Sequence, residues 1–310
     1  MTINAIFWDV DPEIFSIGKL SIRYYGLMFA CAFFFGYIVF KKYLTSKHLS
    51  DEMLDKLLIY MAVGIVVGAR LGHCFFYQPR YYLDNPLEIL MIWKGGLASH
   101  GAAIGAPLAL WLYVRKFKLS FLWLIDRIVI VVALGGAFIR MGNLFNSEIY
   151  GGPTSLPWGF EFVRDTSRLP TVPSHPTQIY EALSYLAIFV ILLLFFRKNK
   201  MNVRDGFIFG VFLILLFTAR FFIEFLKEFQ ADFMVEWLNR NNPDYDPQAL
   251  RQEFNNIPNL RKPWLNMGQI LSIPFIILGI VMIWWTKRKP AYFSKTPPPE
   301  PPKTKQKKKK

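Results

Sequence analysis

The chain has 310 residues, of which 53% are hydrophobic, 17% aromatic and only 19% charged, and its mean hydropathy is +0.28. This balance excludes an ordinary soluble domain, and apolar runs of roughly 17–22 residues recur, each able to cross about 30 Å of hydrocarbon. The formal charge of +14 collects in short loops and in the terminal lysines, where it sets topology and meets anionic lipid, which argues against nucleic acid as a partner.

Residues 1–20 carry Asp9, Asp11 and Glu13 among Phe7, Trp8, Ile14 and Phe15. They lack the basic start of a cleaved signal peptide and are expected as an interfacial segment outside the membrane. A first span is expected over about 21–40, opening on Arg23-Tyr24-Tyr25-Gly26 and ending against Lys41, Lys42 and Lys47, which hold that end in the cytoplasm. The second span, about 57–77, contains Gly64 and Gly68 as a small-xxx-small packing pair, together with Arg70, Gly72 and His73. His73 reads as a packed interior histidine, whereas Arg70 asks for a partner.

An external connection over residues 79–94 leads to Gly95-Gly96-Leu97-Ala98-Ser99-His100-Gly101, which opens a third span that stops at Arg115, Lys116 and Lys118. The fourth span, residues 121–138, delivers the sequence Ile139-Arg140-Met141-Gly142-Asn143-Leu144-Phe145-Asn146-Ser147-Glu148-Ile149-Tyr150-Gly151-Gly152 to its outer end. An arginine, two asparagines and a glutamate are costly there without partners or a water-filled cavity, so they mark a functional site. Gly142, Gly151 and Gly152 offer positive φ or close backbone approach.

A soluble connection over residues 153–173 precedes His175-Pro176-Thr177-Gln178-Ile179-Tyr180-Glu181, where Ser174 or Thr177 is placed to cap the fifth span. That span ends at Arg197, Lys198 and Lys200. The sixth, about 206–225, sets Arg220 and Glu224 one turn apart, where they face a ligand or pair with each other. Residues 227–263 are mostly polar and are expected as a small external head. A seventh span, about 267–285, is followed by a basic Pro/Lys-rich tail over 287–310, expected to be disordered and cytoplasmic.

The expected architecture is an all-α polytopic membrane protein with about seven spans, its N-terminus outside and C-terminus cytoplasmic. The transmembrane domain covers residues 1–286. Tyr25, Arg70, His100, Arg140, Asn143, Glu148, His175, Glu181 and Arg220 then all fall toward outer ends, which predicts one polar cavity facing the outer leaflet. Several arginines backed by carboxylates suit a phosphate-bearing lipid, because guanidinium matches phosphate oxygens in bidentate geometry. Cys31 and Cys74 lie inside spans and define neither a disulfide framework nor a metal site, and no cofactor motif is present. H-E-x-x-H and G-x-S-x-G are absent as well. A non-catalytic anionic-lipid-binding protein or a transporter remains the alternative, although a transporter would carry its polar groups near the midplane on repeated halves.

The motifs Gly95-Gly-Leu-Ala-Ser-His100-Gly101, Arg140-Met-Gly-Asn143-Leu-Phe-Asn146-Ser-Glu148 to Gly151, His175-Pro-Thr-Gln-Ile-Tyr180-Glu181 and Gly268-Gln-Ile-Leu-Ser-Ile-Pro274, with Tyr25-Gly26-Leu27-Met28, resemble bacterial prolipoprotein diacylglyceryl transferase in order and spacing. The resemblance implies transfer of a diacylglyceryl group from phosphatidylglycerol to the lipobox cysteine of a preprolipoprotein at the outer face of the bacterial inner membrane. It places Tyr25, His100, Arg140, Asn143, Glu148, Gly151 and Arg220 on functional positions of the family. Ile139, Leu144 and Leu216 depart from residues common there. Tyr25, His100, Arg140 and Arg220 are the catalytic candidates, with the arginines on phosphate and His100 as general base. Arg70, Arg140, Asn143, Asn146, Glu148, Gly151, His175, Glu181 and Glu224 are the expected substrate-binding set.

Overall fold

The computed structural model describes residues 5–18, 20–45, 49–92, 95–165, 171–199, 203–227 and 265–288. Lys47, Lys200, Asp244, Lys289, nearly all of the expected external head and the tail from residue 289 lie outside the described residues. The apolar runs fold into α1 (Tyr24–Val39), α2 (Asp51–Phe76), α4 (Ser99–Phe117), α5 (Phe121–Phe145), α6 (Thr177–Lys198), α7 (Phe207–Ile223) and α8 (Met267–Arg288), with a short α3 (Pro79–Asp84) between α2 and α4. Among the described residues, six helical segments are long and apolar enough to cross a membrane, namely α2, α5, α6 and α8 together with α1 continued to Leu44 and α7 continued to Leu226. Helix α4 is the expected third span. Ser99 and His100 at one end and Arg115 and Lys116 at the other lower its apolar content.

The burial pattern is that of a protein solvated by hydrocarbon. Phe34, Val63, Ile104, Leu183, Leu194 and Ile280 are exposed on the helices, while Arg70, Asp126, Arg127, Asn143, Gln178 and Glu181 are buried. In water such an apolar exterior would aggregate; in lipid the charged groups are the ones that must be enclosed and paired.

Three boundaries differ from the expected ones, each for a local reason. Residues 21–23 belong to a strand rather than to the first span, so α1 begins at Tyr24. Helix α2 starts before residue 57, because the Ser50 hydroxyl accepts from the Met53 amide and Asp51 and Glu52 favour the positive end of the helix dipole. Helix α5 runs on to Phe145, so Arg140 and Asn143 stand three residues apart on its last turns and can meet.

The contacts divide into two units. The first comprises Met1–Ala32, Ala133–Ile191 and Gly210–Val281. It holds the only strands among the described residues, an addition to the expected all-α fold. β1 (Ile6–Trp8) pairs in parallel with β4 (Phe160–Phe162), Ile6 opposite Phe160, and β2 (Glu13–Ile17) forms an antiparallel hairpin with β3 (Leu20–Arg23). Trp8 packs on Phe145 and Phe160 and donates from its indole to the Leu144 carbonyl at 3.2 Å. Arg164, just beyond β4, binds Asp9 at 2.7 Å and Asp11 at 2.8 Å. The Glu13 amide and then the Arg164 guanidinium hold the Asp11 carboxyl below its ordinary range.

The second unit comprises Phe33–Val132, Leu192–Phe209 and Met282–Lys310. Here α2 and α4 cross at backbone contact. A Cβ on Gly68 would stand 2.9 Å from the Gly105 Cα, and one on Gly72 would stand 2.6 Å from the Gly101 Cα. The expected Gly64 and Gly68 pair is thus one side of a longer stripe of small residues. Two charges inside α5, Asp126 and Arg127, escaped the reading of the sequence. Asp126 accepts from the Gly206 and Phe209 amides, each at 2.7 Å, and so caps the start of α7 from a neighbouring helix. Arg127 donates to the Leu44 and Trp123 carbonyls and lies over the Trp123 ring.

Candidate active site

The expected site residues divide between the two units, and Arg140, Asn143, Asn146, Glu148 and Glu181 of the first unit form one connected polar network. On α5, Arg140 directs Nε at Glu181 Oε2 of α6, an ion pair of 2.8 Å in which the arginine side chain is 14% and the glutamate 1% exposed. Its NH1 donates to Asn143 Oδ1 at 3.2 Å. Asn143 passes the chain on, donating from Nδ2 to Glu148 Oε1 at 2.8 Å, where Asn146 also donates at 3.1 Å. Tyr25 lies beside this group. Its ring is the nearest obstacle to a side chain at Gly142, and it feels the charges of Glu148 and Arg140.

The loop that carries Glu148 is strained. Positive φ or close backbone approach was expected at Gly142, Gly151 and Gly152; the positive φ in this loop occurs at Ser147 (53°) and Ile149 (61°). A β-branched residue there costs on the order of 1–3 kcal/mol and persists only where surrounding bonds enforce it. Those bonds come from the start of α6. Thr177 donates to the Ile149 carbonyl at 2.9 Å and Gln178 to the Glu148 carbonyl at 2.7 Å. The Thr177 hydroxyl therefore serves the loop, and the Ser174 hydroxyl turns back to the Val172 carbonyl. Gly151 and His175 are joined through backbone: the Gly151 amide donates to the His175 carbonyl at 2.8 Å and the His175 amide to the Gly152 carbonyl at 2.9 Å. A Cβ on Gly151 would fall 2.8 Å from the His175 Cβ, which explains glycine there by space rather than by φ. The His175 ring stands 3.4 Å from the Tyr180 hydroxyl.

At the end of α7, Arg220 is half-buried and has no hydrogen-bond or ion-pair partner among the described residues. Pairing with Glu224 is not what the structure shows. Glu224 is buried against Gly268 at the start of α8, and its cation is Lys227 at 3.8 Å. Lys227 also reaches Glu181 Oε1 at 3.1 Å. This lysine was missed because it follows a span like any interfacial lysine. Its spacing of three from Glu224 was the available signal.

The second unit holds the other two candidates. Arg70 is 3% exposed and donates to the carbonyls of Ile89, Gly95, Gly96 and Glu88, with Tyr82 against its guanidinium face. Four of its five N–H groups fasten the connection between α3 and α4. Gly96, at φ 72°, presses on Arg70 and His73, so His73 is packed as expected. His100 is exposed at the start of α4, flanked by Phe76 at 5.1 Å and Tyr77 at 5.6 Å between ring centres. Glu181, at 1% exposure, is enclosed by two cations.

A polytopic helical membrane protein whose spans enclose an arginine oriented by carboxylate and amide groups is one equipped to hold an anionic group at a lipid-facing depth. Comparison with known proteins makes this specific. Residues 12–285 match the family model of prolipoprotein diacylglyceryl transferase, and the chain belongs to that family. It is 44% identical to the phosphatidylglycerol–prolipoprotein diacylglyceryl transferase of Tolumonas auensis over 90% of this chain and 96% of that one. It is 39% identical to the protein of the same name from Chloroherpeton thalassium, over 95% and 99%. The one from Porphyromonas gingivalis is 42% identical over 91% and 95%.

Proposed function

We propose that the chain transfers the diacylglyceryl group of phosphatidylglycerol to the lipobox cysteine of preprolipoproteins, the first step of lipoprotein maturation. The thiol sulfur forms a bond to the terminal glyceryl carbon, the bond from that carbon to the phosphate oxygen breaks, and glycerol 1-phosphate leaves. The observation that carries this reading is the state of the two arginines. Arg140 is oriented through Nε and NH1 with part of its fork left over, and Arg220 has a charge unmatched among the described residues. Guanidinium groups with free donors in a low-dielectric setting stabilise the charge that grows on a departing phosphate.

In this reading His100 takes the proton of the thiol, whose ordinary pKa of about 8.5 requires such help. Tyr25, Asn143, Asn146, Glu148, Gly151 and His175 shape the headgroup site, and Glu224 helps to support it. The topology has seven spans, with α4 as the third, and the N-terminus outside. Residues 227–263 form an external head and 287–310 a cytoplasmic tail, in the bacterial inner membrane with the site toward the outer leaflet. The decisive experiment incubates purified protein with phosphatidylglycerol and a lipobox peptide and weighs the product. A diacylglyceryl thioether on the cysteine is expected. Lipid bound without any thioether would leave an anionic-lipid-binding protein instead.

A further inference from the structure

The network around Arg140 includes one cation that the reaction does not call for. Lys227 follows the 3-10 turn Glu224–Leu226 and is held in place through its own backbone. Its amide donates to the Glu224 carbonyl at 3.2 Å, and the preceding Leu226 carbonyl accepts from the Gly152 amide at 2.9 Å. The side chain is 8% exposed and lies between two carboxylates, 3.1 Å from Glu181 Oε1 and 3.8 Å from Glu224 Oε2. Both carboxylates are themselves buried. Glu181 therefore divides a single negative charge, with Oε2 on Arg140 and Oε1 on Lys227.

We propose that Lys227 is a positioning residue that sets the charge of the arginine site: by sharing Glu181 it lets that carboxylate aim Arg140 without cancelling it. This rests on the transferase reading given above. Arg140 and Lys227 stand against two buried carboxylates, Glu181 and Glu224. Without Lys227 the two carboxylates outnumber Arg140, and a phosphate meets an excess of negative charge. A buried cation close to two carboxylates is poorly placed to bind phosphate itself, because its charge is already matched and its donors are engaged. Glu181 also helps to place the guanidinium, its Oε2 lying 2.8 Å from Arg140 Nε.

The proposal separates charge from geometry, and so does its test. Full-length protein in detergent is compared as wild type, Lys227→Met, Glu181→Gln with Lys227→Met, and Lys227→Arg. Glutamine at 181 keeps the bulk of the side chain beside Arg140 Nε but no longer needs a second cation. The readouts are inhibition by glycerol 1-phosphate, KM for phosphatidylglycerol and KM for a lipobox peptide. Lys227→Met should weaken glycerol 1-phosphate and raise the lipid KM by roughly tenfold or more, the scale of one charged contact, with the peptide KM unchanged. The double variant should return both to within about threefold of wild type, as removal of a matched pair of charges predicts. Lys227→Arg, which keeps the charge, should stay close to wild type.

If the double variant binds the anion as poorly as Lys227→Met, Lys227 contacts the ligand or merely packs, and the proposal is overturned. It is overturned equally if Lys227→Met leaves both constants unchanged. Should Lys227→Met fail to fold, the double variant decides, since it removes the Glu181 charge together with that of Lys227; failure of both would make the lysine purely structural. A wild-type protein that neither turns over nor responds to glycerol 1-phosphate would refute the transferase reading rather than the place of Lys227 within it.

Discussion

Replacing Arg140 by glutamine removes a guanidinium whose Nε is 2.8 Å from Glu181 and whose NH1 is 3.2 Å from Asn143. Two costs follow, and they fall on different observables. In turnover, loss of one preorganised group facing the departing phosphate costs about 100- to 1,000-fold, or roughly 3–4 kcal/mol. In stability the cost is small, because Glu181 keeps Lys227 at 3.1 Å and is not left as an unpaired buried charge. About 1–2 kcal/mol is expected, the scale of the lost hydrogen bonds. Lysine at 140 retains the ion pair with Glu181 but loses the planar fork, so its turnover should lie between the two. The assay is thioether formation in detergent at equal protein concentration, with the thermal midpoint of each variant recorded alongside. Glutamine turnover within about threefold of wild type, well short of that expected loss, would remove Arg140 from the mechanism. A large fall in protein level with normal turnover per molecule would make it an anchor only.

Arg220→Gln should lower turnover by a similar factor, about 100- to 1,000-fold, yet leave the thermal midpoint unchanged, since no described residue loses a partner; a midpoint shift without loss of turnover would contradict this. Arg70→Lys should do the reverse: lysine cannot span the four carbonyls that Arg70 holds, and losing two charged hydrogen bonds costs about 3 kcal/mol of stability, read by thermal unfolding, whereas an unchanged midpoint with a raised lipid KM would return Arg70 to the ligand. The Asp11 carboxyl titrates below its unfolded value of about 3.9, so its contribution is complete above that pH and lost as pH falls through the folded value. The fluorescence difference between wild type and Trp8→Phe should accordingly show an acid limb below pH of about 4 that Asp11→Asn abolishes, and an identical limb in that variant would exclude Asp11. Deleting residues 296–310 should leave turnover within a few-fold, because the spans and every site residue lie before them; loss of activity in a normally abundant truncation would assign the tail a regulatory role.

What the sequence displayed, and what it concealed, follow from how far each partner lies along the chain. Arg140, Asn143, Asn146 and Glu148 were legible as a site because four polar groups at the end of one apolar run carry a desolvation cost that local sequence already exposes. Their arrangement was not legible. It depends on α5 continuing to Phe145, which brings Arg140 and Asn143 onto adjacent turns, and on Thr177 and Gln178 holding a loop in which Ser147 and Ile149 take backbone angles glycine would adopt more readily. The pairing of β1 with β4 joins Ile6 to Phe160 across most of the first half of the chain, and three-residue aromatic segments give no period to read.

Arg70 and Lys227 show the same limit from opposite sides. A lone arginine in an apolar span reads as a ligand group, and only the loop carbonyls that return to meet Arg70 reveal its use in fastening the approach to His100. A lysine just past a span reads as an interfacial anchor, and only the fold brings Lys227 back to Glu181, which lies on a different helix. Charge at a membrane depth therefore identifies where partners must exist, while the identity of the partner decides whether the group binds substrate or holds the group that does. Among the described residues, Arg140 is oriented through its near side by Glu181 and Asn143, and Arg220 is held by none of them. That difference predicts unequal tolerance. Arg140 depends on support that a glutamate-to-alanine change at 181 would destroy, since it would leave Lys227 and Arg140 as two buried cations sharing no carboxylate, whereas Arg220 should be indifferent to the same change until a phosphate arrives.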